Sequence, residues 1–142
     1  MSAALAQAVA EAARNPDAHP DLTLTYDRGH ELSGFTHFEA RADGRYALTA
    51  DNPRRGTSVE REGTLDPEQR AALFGAVQET RLLDQPSSTR RIGDDEQPID
   101  VVVGHAGEEH RLTLWAKDAT ANPDFTRFET ALRALIGTLS AG

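Results

Sequence analysis

Hydrophobic positions recur along this chain with two periods, one of two residues and one of a helical turn. Leu22, Leu24 and Tyr26 alternate with Thr23 and Thr25, the pattern of a strand with one buried face. Asp27 to Gly34 carries two glycines and reads as a loop. Phe35 to Arg41 and Arg45 to Asp51 flank Ala42-Asp43-Gly44, and Asp-Gly is a strong hairpin signal. Alternation then puts Phe38 and Ala40 on the same side as Tyr46, Leu48 and Ala50. Asn52 to Gly56 reads as a second turn. Thr57 to Leu65 is a more polar strand whose alternating Arg and Glu suit a sheet edge. Ile99, Val101 and Val103, a turn at Gly104 to Gly107, and Leu112 and Leu114 predict a second hairpin ending at Trp115.

Helical spacing appears three times. Leu5, Val9 and Ala12 or Ala13 mark an alanine-rich helix over Ser2 to Arg14, stopped by Asn15-Pro16. Alanine offers little area to bury, so this helix is expected to dock weakly or fray. Asp66, Pro67 and Gln69 form a capping-box start with proline at the first helical position, and Leu73, Phe74 and Val77 give that helix its apolar stripe. Leu82 and Leu83 follow its end and turn back toward the core. Asn122-Pro123 caps a last helix in which Phe125, Phe128, Leu132, Leu135, Ile136 and Leu139 share one side, after a loop over 116–121. Asp84 to Pro98 lacks apolar periodicity and is long for a connection, so it is either mobile or functional. The order predicts an α+β fold: an antiparallel β-sheet of about five to six strands with two or three helices packed on one face. Residues 1–20 read as helix and linker, and residues 21–142 as a single α+β domain. Strand order is open at this point.

Composition narrows the partners. The chain has 142 residues, 38% of them hydrophobic and 27% charged, enough for one domain with a small core. Fifteen Lys and Arg against 23 Asp and Glu give a net charge of −8, which repels phosphate backbones and anionic lipid. Neither nucleic acid nor a membrane is expected as a partner, whereas a basic protein surface is attracted. With no cysteine, disulfides, thiol nucleophiles and Cys-type zinc sites are excluded. Gln7 and Glu11 interrupt the first apolar residues, so no signal peptide is expected, and a cytoplasmic location follows as the expectation.

Candidate chemistry is sparse. Five histidines are present, with His105 and His110 flanking one predicted turn and His37 sharing a strand face with Glu39, but no spaced metal-ligand motif occurs. No serine sits in a nucleophile elbow, and Ser33 near His30 belongs to a glycine-bearing loop. The acidic runs Asp94-Asp95-Glu96 and Glu108-Glu109 read as solvated surface, and Arg90-Arg91 and Arg54-Arg55 as local charge balance. Trp115 reads as a core or rim residue. No cofactor and no catalytic set is expected, and the chain is expected to act by binding.

From Leu22 to Leu139 the layout resembles the emfourin family, small bacterial inhibitors of thermolysin-like metalloproteases. The resemblance rests on Arg28-Gly29-His30 and Gly34-Phe35 in place of a Gly-Gly and Gly-Phe element, the Asp43-Gly44 turn, and Leu65-Asp66-Pro67 with Leu73 and Leu82-Leu83. Further on it rests on Asp95 through Ile99, Val101 and Val103, and on Asp118, Pro123 and Phe125 to Leu139. The chain departs from the family at His30, Gln97 and Ile99, the last two standing where relatives usually have aromatics. The resemblance implies a protein partner, a metallopeptidase, and a partner-binding loop comprising Arg28, Gly29, His30, Gly34 and Phe35. An acidic immunity or adaptor protein that neutralises a basic partner is the alternative.

Overall fold

Strand β1 (Thr23–His30) lies inside the sheet although it comes first among the strands. The computed structural model describes residues 3–30 and 34–141, with His30 described by its backbone. β2 (Gly34–Arg41), β3 (Arg45–Asn52) and β4 (Thr57–Thr64) follow as a meander. β5 (Pro98–His105) and β6 (Glu108–Trp115) form the second hairpin. The six strands are ordered β4-β3-β2-β1-β5-β6, and every neighbouring pair is antiparallel. β4, predicted as the polar edge, is an edge.

Register explains which residues become core. Arg61, Leu48, Phe38, Tyr26, Val101 and Leu112 stand side by side across all six strands, on the face that the helices cover. Leu24, Ala40, Ile99, Val103 and Leu114 share that face and are buried. α2 (Pro67–Glu79) supplies Leu73, Phe74 and Val77 to this core, and α4 (Pro123–Ala141) supplies Phe125, Phe128 and Leu132. Each starts where its side chains direct. The Asp66 carboxylate accepts from the Gln69 N–H while the Gln69 amide oxygen accepts from the Asp66 N–H, and Asn122 Oδ1 accepts from the Phe125 N–H.

Three expectations change. The alanine-rich helix α1 (Ala3–Arg14) packs firmly on α2, with Leu5, Ala8, Val9 and Ala12 buried. Leu5 and Val9 supply most of the apolar side chain it buries, and Ala8 and Ala12 fill the positions between them. The stretch Asp27 to Gly34 is mostly strand, because Gly29 pairs with Phe35 and His30 with Gly34. Residues 116–121, read as a loop, contain the short helix α3 (Ala116–Thr120).

The polar segment after α2 is laid along the outer edge of β6. Leu82–Asp84 forms a 3₁₀ turn that buries Leu82, and the Ser88 N–H then donates to the Thr113 carbonyl at 2.8 Å.

Candidate functional site

Residues of opposite parity to the core form the other face of the sheet, and no described helix lies against it. One row across it reads Glu62, Ala47, Glu39, Thr25, Val102, Arg111, and the next Glu60, Thr49, His37, Asp27, Asp100, Thr113. Short side chains (Ala47, Thr25, Thr49) are interspersed along the rows with charged ones, and Asp27, Glu39 and Asp100 stand on the inner strands. A depression of about 670 Å³ there is lined by Thr23, Thr25, Glu39, Arg41, Arg45, Ala47 and Glu62, among others. Acidic groups outnumber basic ones on this face. Asp27, Glu39, Asp51, Glu60, Glu62, Asp100 and Glu109 stand against Arg41, Arg45 and Arg111. Asp43 draws in Arg45 at 3.2 Å and Arg41 at 3.6 Å, and Arg111 reaches Asp100 at 3.4 Å. Among the described residues, Glu60 and Glu62 have no cationic partner.

The residues of the expected partner-binding loop divide between the two faces. Gly29 and Phe35, opposite each other, lie on the helix-free face, where Phe35 is half-buried. Arg28 points the other way. Its Nη1 donates to Glu129 on α4 at 2.7 Å and its Nε to Gln97 Oε1 at 3.3 Å. Burial works against the Arg28 charge, yet the Glu129 carboxylate more than offsets it and the guanidinium pKa is raised. Gly34 begins β2, the side chain of His30 lies outside the described residues, and so does Ser33. Gly29 and Gly34 have φ of +106° and +107°, and a Cβ on Gly29 would stand 2.2 Å from the Gly34 carbonyl oxygen. Both positions therefore require glycine.

Among the described histidine side chains, His37 and His110 stand apart, and His19 and His105 meet. His37 lies between Asp27 on one ring nitrogen and Glu39, 3.6 Å from the other. His19 bonds Glu11 at 3.0 Å and meets His105 edge-on with centroids 4.9 Å apart, while His105 faces Asp21 at 3.2 Å. Hydrogen bonding to His19 lowers the Glu11 pKa. His110 is half-buried, and burial lowers its pKa. Among the described residues no three His, Asp or Glu side chains converge as metal ligands. Among them, too, no helix is long and apolar enough to cross a membrane.

Glu96, read as solvated, is instead buried, at 5% exposure. Its carboxylate takes Arg90 Nη1 at 2.9 Å, the Gly93 N–H at 2.9 Å and the Lys117 N–H at 3.0 Å. The Arg90 bond first, with the two backbone donors, lowers its pKa to about 2 against the cost of desolvation. Arg90 also donates from Nε to Asp118 at 3.1 Å, and its own pKa is raised chiefly by Glu96. The acidic run gave no sign of this, since Asp94 and Asp95 beside it are exposed. The arginine pair six residues upstream was the available signal. Trp115 is a rim residue, its indole N–H donating to the Arg90 carbonyl at 2.8 Å. Comparison of the chain with protein-family models and with curated proteins finds no match to either.

Proposed function

We propose that this chain is a non-enzymatic, cytoplasmic protein-binding domain that receives a basic protein surface on the helix-free face of its sheet. The observation that carries the reading is the charge of that face, with seven carboxylates, Asp27, Glu39 and Asp100 on the inner strands among them, against three arginines. A fully paired six-stranded sheet has little backbone freedom to lose when a partner docks, and its negative potential speeds encounter with a positive surface. This is the behaviour of an acidic immunity or adaptor protein.

A differential capture tests it. Wild-type protein and the variant Glu39→Lys/Glu62→Lys are used as baits side by side at low and high salt. A basic protein held by the wild type, released by salt and lost by the variant supports the reading. Equal capture by both baits overturns it.

The β1–β2 hairpin end favours a second reading, an emfourin-type inhibitor of a thermolysin-like metallopeptidase. Gly29 and Gly34 give this end a backbone path open only to glycine, and Phe35 is half-exposed beside it. Stoichiometric inhibition of thermolysin by wild-type protein, lost in Phe35→Ala, supports it. Inhibition equally strong in Phe35→Ala counts against this hairpin as the inhibitory element.

A further inference from the structure

We propose that residues 85–97 are a removable guard on the outer edge of β6, and that the edge beneath pairs with the same edge of a second copy of this chain. Both outward peptide groups of Thr113 are occupied by the guard. Its N–H donates to Ser87 Oγ at 3.0 Å and its carbonyl accepts from the Ser88 N–H at 2.8 Å. The Trp115 N–H, the next outward one, donates to Ser88 Oγ at 3.0 Å, and Gln97 then returns to the β5 side, where its carbonyl accepts from the Ala116 N–H. The outward groups of Thr113 and Trp115 would otherwise be an open edge ready to take another strand.

The guard is held by polar contacts. Glu96 is its one buried residue, and Ile92 is only half-buried. Arg90 ties it down by bridging Glu96 and Asp118, and Ser88 Oγ adds a bond to Asp118 at 2.6 Å. A segment fixed by hydrogen bonds at the rim, with no apolar anchor, opens at a lower free energy than the sheet it covers.

The sequence of β6 suits pairing with itself once freed. An antiparallel pair centred on Thr113 sets Leu112 against Leu114 on the helix side and Arg111 against Trp115 on the other. The first is an apolar cross-strand pair and the second a cation–π pair, with no like charges opposed. β4, the other edge, behaves differently. Centring it on Glu60, Arg61 or Glu62 sets a charge against its own copy, which blocks self-pairing without a guard.

The test combines sedimentation velocity with amide hydrogen exchange on the full-length chain. Arg90→Ala is expected to speed exchange of the Thr113 and Trp115 amides by about tenfold or more in dilute solution, through loss of its charge-assisted bonds to Glu96 and Asp118. The same variant dimerises as its concentration rises, while the wild type stays monomeric. Adding Thr113→Pro removes the outward N–H without costing a backbone bond to β5, giving up only the Thr113 hydroxyl bond to Asp100, and returns the variant to monomer. Should Arg90→Ala fail to fold, Ser88→Ala gives the same changes at smaller amplitude without stranding a charge. The proposal is overturned if exchange at Thr113 does not accelerate, if it accelerates without dimerisation, or if the Thr113→Pro combination dimerises as readily.

Discussion

The Tyr26 hydroxyl donates to the Glu129 carboxylate at 2.6 Å, tying the middle of the sheet to the last helix. The same carboxylate oxygen accepts from Arg28 Nη1 two residues along β1, so one helix side chain holds two strand residues. Burial first, and the bond to Glu129 second, raise the pKa of the Tyr26 hydroxyl. Tyr26→Phe leaves Glu129 still paired with Arg28 and is expected to cost about 1 kcal/mol. Glu129→Ala strands both donors and should cost about 2–4 kcal/mol. Chemical denaturation of the two single variants and the double variant checks this. In the Glu129→Ala background, Tyr26→Phe should be nearly neutral.

Acid should loosen the guard before it unfolds the sheet. Glu96 has a folded pKa near 2 against an ordinary value of 4.5, so its contribution is complete above about pH 4.5 and is lost as pH falls through about 2. Over that window the unfolded chain binds more protons than the folded one, and stability declines. Glu96→Gln removes this titration. Thermal unfolding measured across the window should show the wild-type advantage over Glu96→Gln shrinking steadily toward low pH.

The first helix is part of the core. Leu5 and Val9 are each 1% exposed, against α2 and the sheet beneath it. Leu5→Ala should therefore cost about 2–5 kcal/mol, a core value rather than that of a frayed end. A denaturation midpoint unchanged by Leu5→Ala would show that α1 does not carry this weight.

The hairpin end should tolerate no side chain at its first glycine. Gly29→Ala puts a methyl 2.2 Å from a backbone oxygen at a φ of +106°, so the strands must part at that point. The expected cost is about 1–3 kcal/mol. Amide shifts should change at residues 28–36 and leave β5 and β6 as they are. Gly56→Ala, with nothing within 4 Å of its added methyl, serves as the turn control because it adds only its own strain at φ +64°.

Local signals were the legible ones. Asp66, Pro67 and Gln69 marked a helix start, Asp43-Gly44 a turn, and the Arg and Glu of β4 an edge, because in each the physics lies within a few residues. Strand order was not readable, since pairing β1 with β5 depends on Tyr26 meeting Val101 and nothing local encodes that. The same reason hid how firmly α1 docks, since its alanines look weak until α2 is placed against them. Gly29 was misread as loop because glycine signals permissive backbone in strands as well as in turns. Glu96 was misread because burial of a carboxylate is decided by Arg90 and by the start of α3, not by its acidic neighbours. Of the expected site, Gly29 and Phe35 share the helix-free face, and Arg28 was missed as a structural tie because Glu129 lies 101 positions away.

The pairing of β1 with β5 joins Thr23 to Gly104 across 81 positions of chain. The meander β1 to β4 and the hairpin β5–β6 can each assemble from close neighbours on a fast timescale. The join between them must wait for a large loop to close. Folding kinetics should thus be limited at that one join, with substitutions at Tyr26 or Val101 slowing folding and those at Leu48 mainly hastening unfolding.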